Sequence, residues 1–295
     1  MSASQRLQAL LDSARRRERT LVMGVLNVTP DSFYDGGRHT SEGAALRQAE
    51  RLAEEGADII DVGGESSRPG AEPVTVGEEI ARTVGVVRRI ARSALAPVSI
   101  DTAKAEVARR AIDAGAAMVN DITALTADPA MARVVAESGS AVCLMHMQGE
   151  PRTMQRNPTY GDVVADVCAY LAQRARAAED AGVGRERIVL DPGFGFGKRA
   201  AHNLEIVRRL REVADLGYPV LLGPSRKSTI GEVLGGLPPE ERLEGSAALV
   251  ALAVAHGVAI VRVHDVRAMV RVARVADAVV RGWPSPPRPS AAAVH

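Results

Sequence analysis

The sequence predicts a single-domain α/β fold, a (β/α)8 TIM barrel. Three observations predict it: eight short apolar runs, eight longer amphipathic segments alternating with them, and a polar or charged group closing each apolar run. The runs lie at 21–27, 57–62, 97–101, 117–121, 141–146, 187–191, 219–223 and 259–263. They are rich in Val, Ile and Leu, as strands buried on both faces of a parallel sheet must be. The intervening segments, at 41–55, 77–93, 104–114, 129–138, 160–181, 202–215, 243–255 and 266–281, have the helical period and the length a right-handed crossover needs. Gly56, Gly115, Gly139 and Gly257 stand where helices give way to strands, positions that suit a left-handed C-cap.

Around this barrel, taken as residues 21–282, the first 20 residues are expected to form a charged helical extension. Residues 283–295 are expected to form a loose Pro-rich tail. A length of 295 residues suits one barrel of ~250 residues with extended ends. Apolar residues make up 46% and aromatics only 3%, so the core must be built from Ala, Val, Leu and Ile.

Composition also narrows the partners. Thirty-seven basic against thirty-six acidic residues give a net charge of +1, which provides no broad field for nucleic acid or an anionic membrane. Cys143 and Cys168 lack the spacing of a zinc site or a disulfide framework and point to a reducing cytoplasm. The N-terminal stretch has no apolar core of a leader. The longest apolar run, 247–261, is interrupted at His256 and Gly257 and falls short of the ~20 residues of a membrane span. A cytoplasmic protein is expected.

The strand ends are Asn27, Asp61, Asp101, Asn120 with Asp121, His146, Asp191, the Ser225-Arg226-Lys227 loop, and Arg262 with His264. In a barrel these ends converge on one rim, where active sites are built. Asp61, Asp121 and Asp128, each taken alone, read as turn formers or helix caps. Turn formation does not account for Lys, Arg and His on the same rim. His39, His202, His256 and His295 read as ordinary satisfied rings, whereas His146 is left open.

Individual loops carry more. Gly63-Gly64-Glu65-Ser66-Ser67-Arg68-Pro69-Gly70 groups backbone donors, hydroxyls and a guanidinium as an oxyanion site would. The stretch from Asn27 to Gly37 is polar and could close over a ligand. In Asp191-Pro192-Gly193-Phe194-Gly195-Phe196-Gly197-Lys198 a flat heterocycle could lie on Phe196 while Asp191 accepts its N–H groups. Arg262 and His264, two apart on a strand, face the same way and suit an anionic leaving group. No Walker lysine, HExxH, GxSxG or strand-linked GxGxxG motif is present. The residues alone therefore imply a planar hydrogen-bonding ring and an anion that departs.

From about Val22 to about Val280 the chain resembles the dihydropteroate synthases, a family of pterin-binding barrels. The resemblance rests on Met23-Gly24-Val25-Leu26-Asn27-Val28-Thr29-Pro30-Asp31-Ser32-Phe33, Asp61-Val62-Gly63-Gly64-Glu65-Ser66-Ser67-Arg68-Pro69-Gly70 and Ser99-Ile100-Asp101-Thr102. Asn120-Asp121-Ile122, Leu144-Met145-His146-Met147-Gln148-Gly149, the loop from Asp191 to Lys198, Ser225-Arg226-Lys227-Ser228 and Arg262-Val263-His264-Asp265-Val266 extend it.

That resemblance implies a transferase of folate biosynthesis that is a target of sulfonamides. It would join a 7,8-dihydropterin bearing a 6-hydroxymethyl diphosphate to 4-aminobenzoate, with Mg2+ and as a homodimer packed through barrel helices. Carried over motif by motif, Asn27 would ligate the Mg2+, and Asn27, Ser67, Arg68, Arg262 and His264 would hold the diphosphate. Asp101, Asn120, Ile122, Met145, Asp191, Phe196, Gly223, Lys227 and Arg262 would form the pterin site. Phe33, Ser67, Arg68, Pro69, Lys227 and Ser228 would take 4-aminobenzoate, and Asp101, Lys227, Arg262 and His264 would serve catalysis. The chain departs from the pattern at Ser67, where many relatives carry Thr, and the hydroxyl is kept. A pterin-binding methyltransferase, which releases no diphosphate, and a non-catalytic pterin-binding paralogue are the alternative readings. The intact set of cations argues against both.

Overall fold

The structure, a computed structural model, describes residues 2–28, 38–66, 72–150 and 152–283. Eight parallel strands run in the order β6-β5-β4-β3-β2-β1-β8-β7. They are β1 (Leu21–Asn27), β2 (Ile59–Gly63), β3 (Val98–Asp101), β4 (Met118–Asp121), β5 (Ala141–Met145), β6 (Ile188–Asp191), β7 (Leu221–Leu222) and β8 (Ile260–Val263). A parallel bridge between Leu190 and Val220, with Leu190 N donating to Pro219 O at 2.9 Å, joins β6 to β7 and closes the barrel.

The helices are α1 (Ala3–Arg15), α2 (Arg38–Glu54), α3 (Val76–Ser93), α4 (Ala105–Asp113), α5 (Met131–Ser138) and α6 (Val163–Asp180). They continue with α7 (Ala200–Arg208), α8 (Leu210–Ala214), α9 (Ser228–Val233), α10 (Leu243–Ala255) and α11 (Val266–Arg281). The single helix expected over 202–215 is two, because Arg209 leaves helical geometry at φ −110° and ψ 22°. Its guanidinium there joins Asp162 at 2.9 Å and Glu212 at 2.7 Å, across two helices. No Gly or Pro marks the break. The seventh strand shortens to two residues, and α9 with a 3-10 turn at Pro239–Glu241 fills a connection that showed no helical pattern.

Strand residues alternate between two cores, as a period of two requires. Val22, Leu26, Ile60, Val62, Val98, Ile100, Val119, Leu144, Leu190, Val261 and Val263 face outward and pack under the helices. Leu21, Met23, Ile59, Met118, Cys143, Val189, Leu221 and Ile260 face inward and fill the floor. Counting two residues onward from the last floor position of each strand gives Val25, Asp61, Asn120, Met145, Asp191, Gly223 and Arg262. The polar rim is therefore the next inward layer of the same barrel.

The N-terminal extension belongs to that floor. Ser2 caps α1 through a capping box with Gln5, and Leu7, Leu11 and Ala14, one helical face, are buried in the inner cluster. Leu11 is fully buried, so Leu11→Ala is expected to destabilise the fold by ~2–5 kcal/mol. Thermal denaturation should show a Tm several degrees lower, with ligand affinity at the opposite rim unchanged. An unchanged Tm would show that the extension is dispensable.

Candidate active site

The base of the inner rim is a charged triad. Arg262 Nε donates to Asp61 Oδ2 at 2.6 Å, and its Nη2 donates to Asp101 Oδ2 at 2.7 Å. Asn120 Nδ2 donates to the same Asp61 oxygen at 3.1 Å. Asp61 is fully buried and sits mid-strand, in register with Val25 and Ser99. The sequence reading of Asp61 as a turn former is therefore corrected, since an inward position within a strand makes no turn. For Asp121 and Asp128 that reading holds. Asp121 accepts from Thr123 N at 2.8 Å and Leu125 N at 2.9 Å, and Asp128 from Ala105 N at 2.9 Å and Ala130 N at 3.0 Å.

Burial pushes the Asp101 carboxyl up to about 7, against the pull of Arg262. Burial pulls Arg262 down, but Asp61 and Asp101 outweigh it and hold the guanidinium above its ordinary value. The guanidinium is therefore fixed in place and charged.

Opposite the triad stands the loop after β6. Asp191 Oδ1 accepts Gly193 N–H at 2.7 Å. Burial raises its carboxyl to about 6, while that bond, Lys227, Lys198 and Arg262 act in the other direction. The Lys227 ammonium lies 4.1 Å from the centroid of the Phe196 ring. The two phenylalanines of the loop divide: Phe194 is buried in the outer core, and only Phe196 faces the cleft.

At the end of β8, His264 Nδ1 lies 3.1 Å from Ser225 Oγ, which also accepts His264 N–H at 3.2 Å. Burial, then Arg262, Arg226 and Lys227, depress its pKa to about 4, so the ring is neutral at pH 7. Arg226 turns instead to Asp265, with Nε at 2.9 Å from Oδ2, which leaves Lys227 as the cation of that loop turned to the Phe196 ring. Ser228 opens α9 directly after it.

Asn27 ends β1, and a Cβ added to Gly63 would lie 3.8 Å from its Oδ1 and 3.6 Å from Asp101 Cβ. Its amide thus stands one small residue away from the triad. Met145 is buried at the end of β5, and Gly223 has only Arg262 atoms near its missing Cβ, at 3.8 Å. Beside Asp101, Ile122 lines a cavity of about 470 Å³ together with Thr102, Met147 and Tyr170.

Asp101, Asn120, Asp191, Phe196, Lys227, Arg262 and His264 are thus brought to one rim. Phe33, Ser67, Arg68 and Pro69 lie outside the described residues. The base of the loop that carries the last three is tied down: Lys104 Nζ reaches Glu65 and the fully buried Glu79 at 2.5 Å each, and Arg82 donates to Gly64 O at 2.9 Å.

Two participants were not assigned from sequence. Asp61 could have been found by counting inward positions from Ile59. Lys198, placed in an apolar Gly and Phe loop with no visible counter-ion, carried only that mismatch as a signal. It is 2% exposed and meets His146 Nδ1 at 2.9 Å. His146, the ring left open by the sequence, is thereby part of the support behind the loop. Burial and the Lys198 charge push its pKa down to about 3.

Comparison with known proteins converges on one group. A family model described as pterin binding enzyme matches residues 23–264. A dihydropteroate synthase of Synechocystis is 47% identical over 264 residues, covering 90% of this chain and 91% of that protein. One from Escherichia coli is 48% identical over 259 residues, covering 88% and 91%. Among solved structures, dihydropteroate synthase of Xanthomonas albilineans with 4-aminobenzoic acid superposes with a TM-score of 0.85 at 47% identity, over 91% of this chain and 95% of that one. The same enzyme in complex with 7,8-dihydropteroate gives 0.81 at 45% identity, over 91% and 96%.

Proposed function

From the premise that the chain belongs to the pterin binding enzyme family, among its dihydropteroate synthases, we propose how its rim divides the work. The reaction is that of the family: a dihydropterin methyl diphosphate and 4-aminobenzoate give 7,8-dihydropteroate and diphosphate, a transfer step of folate biosynthesis. The observation that carries the division is Arg262, clamped between Asp61 and Asp101, with the buried Asp191 and the Lys227–Phe196 pair on the same rim.

Asp101, Asn120 and Asp191 read the hydrogen-bonding edge of the pterin, the ring lies on Phe196, and Ile122, Met145 and Gly223 shape the slot. The diphosphate takes His264, Arg262, Ser67 and Arg68. His264, whose pKa is depressed to about 4, is neutral at pH 7 and acts as a hydrogen-bond donor. 4-Aminobenzoate sits among Phe33, Ser67, Arg68, Pro69, Lys227 and Ser228. The C–O bond to diphosphate breaks first, with Arg262 and Lys227 opposing the charge that leaves and Asp101 facing the methylene cation that forms. An arylamine is neutral at pH 7 and attacks without a strong general base.

Asn27 fits as the protein ligand for Mg2+. It is a hard oxygen donor at the rim, and this ion takes few protein ligands when phosphate oxygens supply the rest. The metal would neutralise charge on the diphosphate.

A homodimer is supported by exposed apolar side chains on adjacent helices, Leu252 of α10 with Val275, Val279 and Val280 of α11, the second of these 80% exposed at Val279. A cytoplasmic location is supported by two unpaired cysteines. No helix among the described residues is long and apolar enough to cross a membrane.

Purified protein with both substrates and Mg2+ is expected to release diphosphate only when 4-aminobenzoate is present. Asp101→Asn and His264→Ala should each lower that rate by ~100-fold or more. Turnover within a few-fold of the parent in both variants would refute the division of roles.

A further inference from the structure

The loop at 191–198 has a shape that its own backbone does not maintain. Gly193, Gly195 and Gly197 take φ of 69°, 84° and 58°, and one internal backbone bond, Phe196 N to Gly193 O at 3.0 Å, spans the first two. Asp191 Oδ1 holds Gly193 N–H from within the loop, and side chains from elsewhere fix Gly195 and Gly197. Asn203 accepts from Gly195 N at 2.8 Å, Gln155 donates to Gly195 O at 2.8 Å, and Tyr160 donates to Gly197 O at 2.7 Å.

Lys198 is the pin at the centre. Its Nζ lies 3.1 Å from Gly193 O, 3.0 Å from Phe196 O, 3.3 Å from His146 O and 2.9 Å from His146 Nδ1. Three carbonyl oxygens and a ring nitrogen surround it, an arrangement that suits an ammonium. With Lys198 as the ammonium donor, His146 Nδ1 accepts and the ring proton is assigned to Nε2.

We propose that Lys198 is a positioning residue for the pterin: it holds the 191–196 loop in its stacking shape and sets its positive charge near the Asp191 carboxylate that accepts the pterin N–H groups. The proposal rests on the assignment of Asp191 and Phe196 to the pterin. By its bond to the Phe196 carbonyl, Lys198 fixes the ring that meets Lys227. By its charge, it joins Lys227 and Arg262 in opposing the burial that pushes Asp191 up to about 6. The coupling runs both ways, since burial draws Lys198 down to about 7 and Asp191 lifts it. The other groups facing this pair are the Cys143 thiol of β5, neutral His146 at the β5 end, and Tyr160 and Tyr170 packed on that ring.

A carboxylate that must be charged to bind loses its ligand as pH falls through its pKa. Deleting a neighbouring positive charge raises that pKa, so binding is lost at a higher pH. Lys198→Met keeps the aliphatic stem and removes only the charge and its bonds. In the full-length protein, fluorescence titration with the pterin diphosphate at pH 7 should give a Kd raised by about tenfold or more. The acid midpoint of binding should move up by about one pH unit. KM for 4-aminobenzoate at saturating pterin should stay within about twofold, because that ring lies on the other side of Lys227.

An unchanged pterin Kd overturns the proposal, and so does a raised Kd with an unmoved acid midpoint, which would reveal a merely structural pin. Should Lys198→Met be recovered unfolded, 13Cε titration of Lys198 in the parent and in Asp191→Asn decides instead. The Lys198 midpoint must fall in Asp191→Asn, and an unmoved midpoint overturns the coupling. Asp191→Asn separates the two levels: if it leaves pterin Kd unchanged, the pterin assignment itself fails, whereas a large loss there with a silent Lys198→Met removes only the role of Lys198.

Discussion

Arg262→Leu is expected to abolish measurable turnover and to destabilise the protein by ~3–5 kcal/mol, the cost of leaving buried charge without its partner. Two carboxylates depend on this one guanidinium, Asp61 at 2.6 Å and Asp101 at 2.7 Å, and a second Asp61 oxygen, Oδ1, already lacks a partner. The stability loss should depend on pH in a fixed direction. Burial raises the Asp101 carboxyl above its unfolded value, so its contribution to folding is present at low pH and is lost as pH rises through about 7. Without Arg262 this carboxyl has still more reason to stay protonated. Arg262→Leu should therefore lie closer to the parent in Tm at pH 5 than at pH 8. A loss of stability that is equal at both pH values would mean that the triad does not act as an electrostatic unit. Turnover within tenfold of the parent would remove Arg262 from the chemistry.

Gly193→Ala is expected to weaken pterin binding by ~100-fold, the scale of loss from misplacing a site by about an ångström. A Cβ at this position would stand 1.9 Å from the His146 carbonyl oxygen and 3.3 Å from Lys198 Nζ. The first contact is with backbone, which cannot rotate away, and φ of 69° adds strain for any residue with a side chain. The loop must lift, and Asp191 and Phe196 must lift with it. Gly77→Ala is the matched control, since nothing lies within 4 Å of its Cβ. Pterin titration of the two variants checks the prediction: equal affinities would show that the close packing of the loop on β5 has no bearing on the ligand.

The barrel was legible because its signal is repetitive. Apolar runs recur eight times, and the alternation that buries Val62 and Leu190 outward also aims Asp61 and Asp191 inward. Arg209 and α9 were not legible, because a helix break made by ion pairs to Asp162 and Glu212 has no local marker. At the rim, residue types announced the anion and the flat ring, and the motif resemblance supplied their names. Partner choice was hidden. Nothing in the order of residues shows that Arg226 turns to Asp265 while Lys227 turns to Phe196, or that His264 is neutral, since both follow from packing among segments far apart in sequence. Asp61 shows the cost of judging a residue alone: its type suits a turn, and its place in the strand forbids one.

The helix that seals the barrel floor bears on the order of assembly. Leu7 and Leu11 of α1 share an apolar cluster with Leu21 and Met23 but also with Val189, Leu221 and Ile260, near the other end of the chain. During synthesis α1 emerges before every strand of the barrel, yet the site that receives it exists only once β8 has joined β1. Its capping box lets it form early as a local structure, while its burial waits for contacts of high sequence separation. An element made before all eight strands is thus among the last to dock, and until it does, Leu7 and Leu11 remain an exposed apolar face.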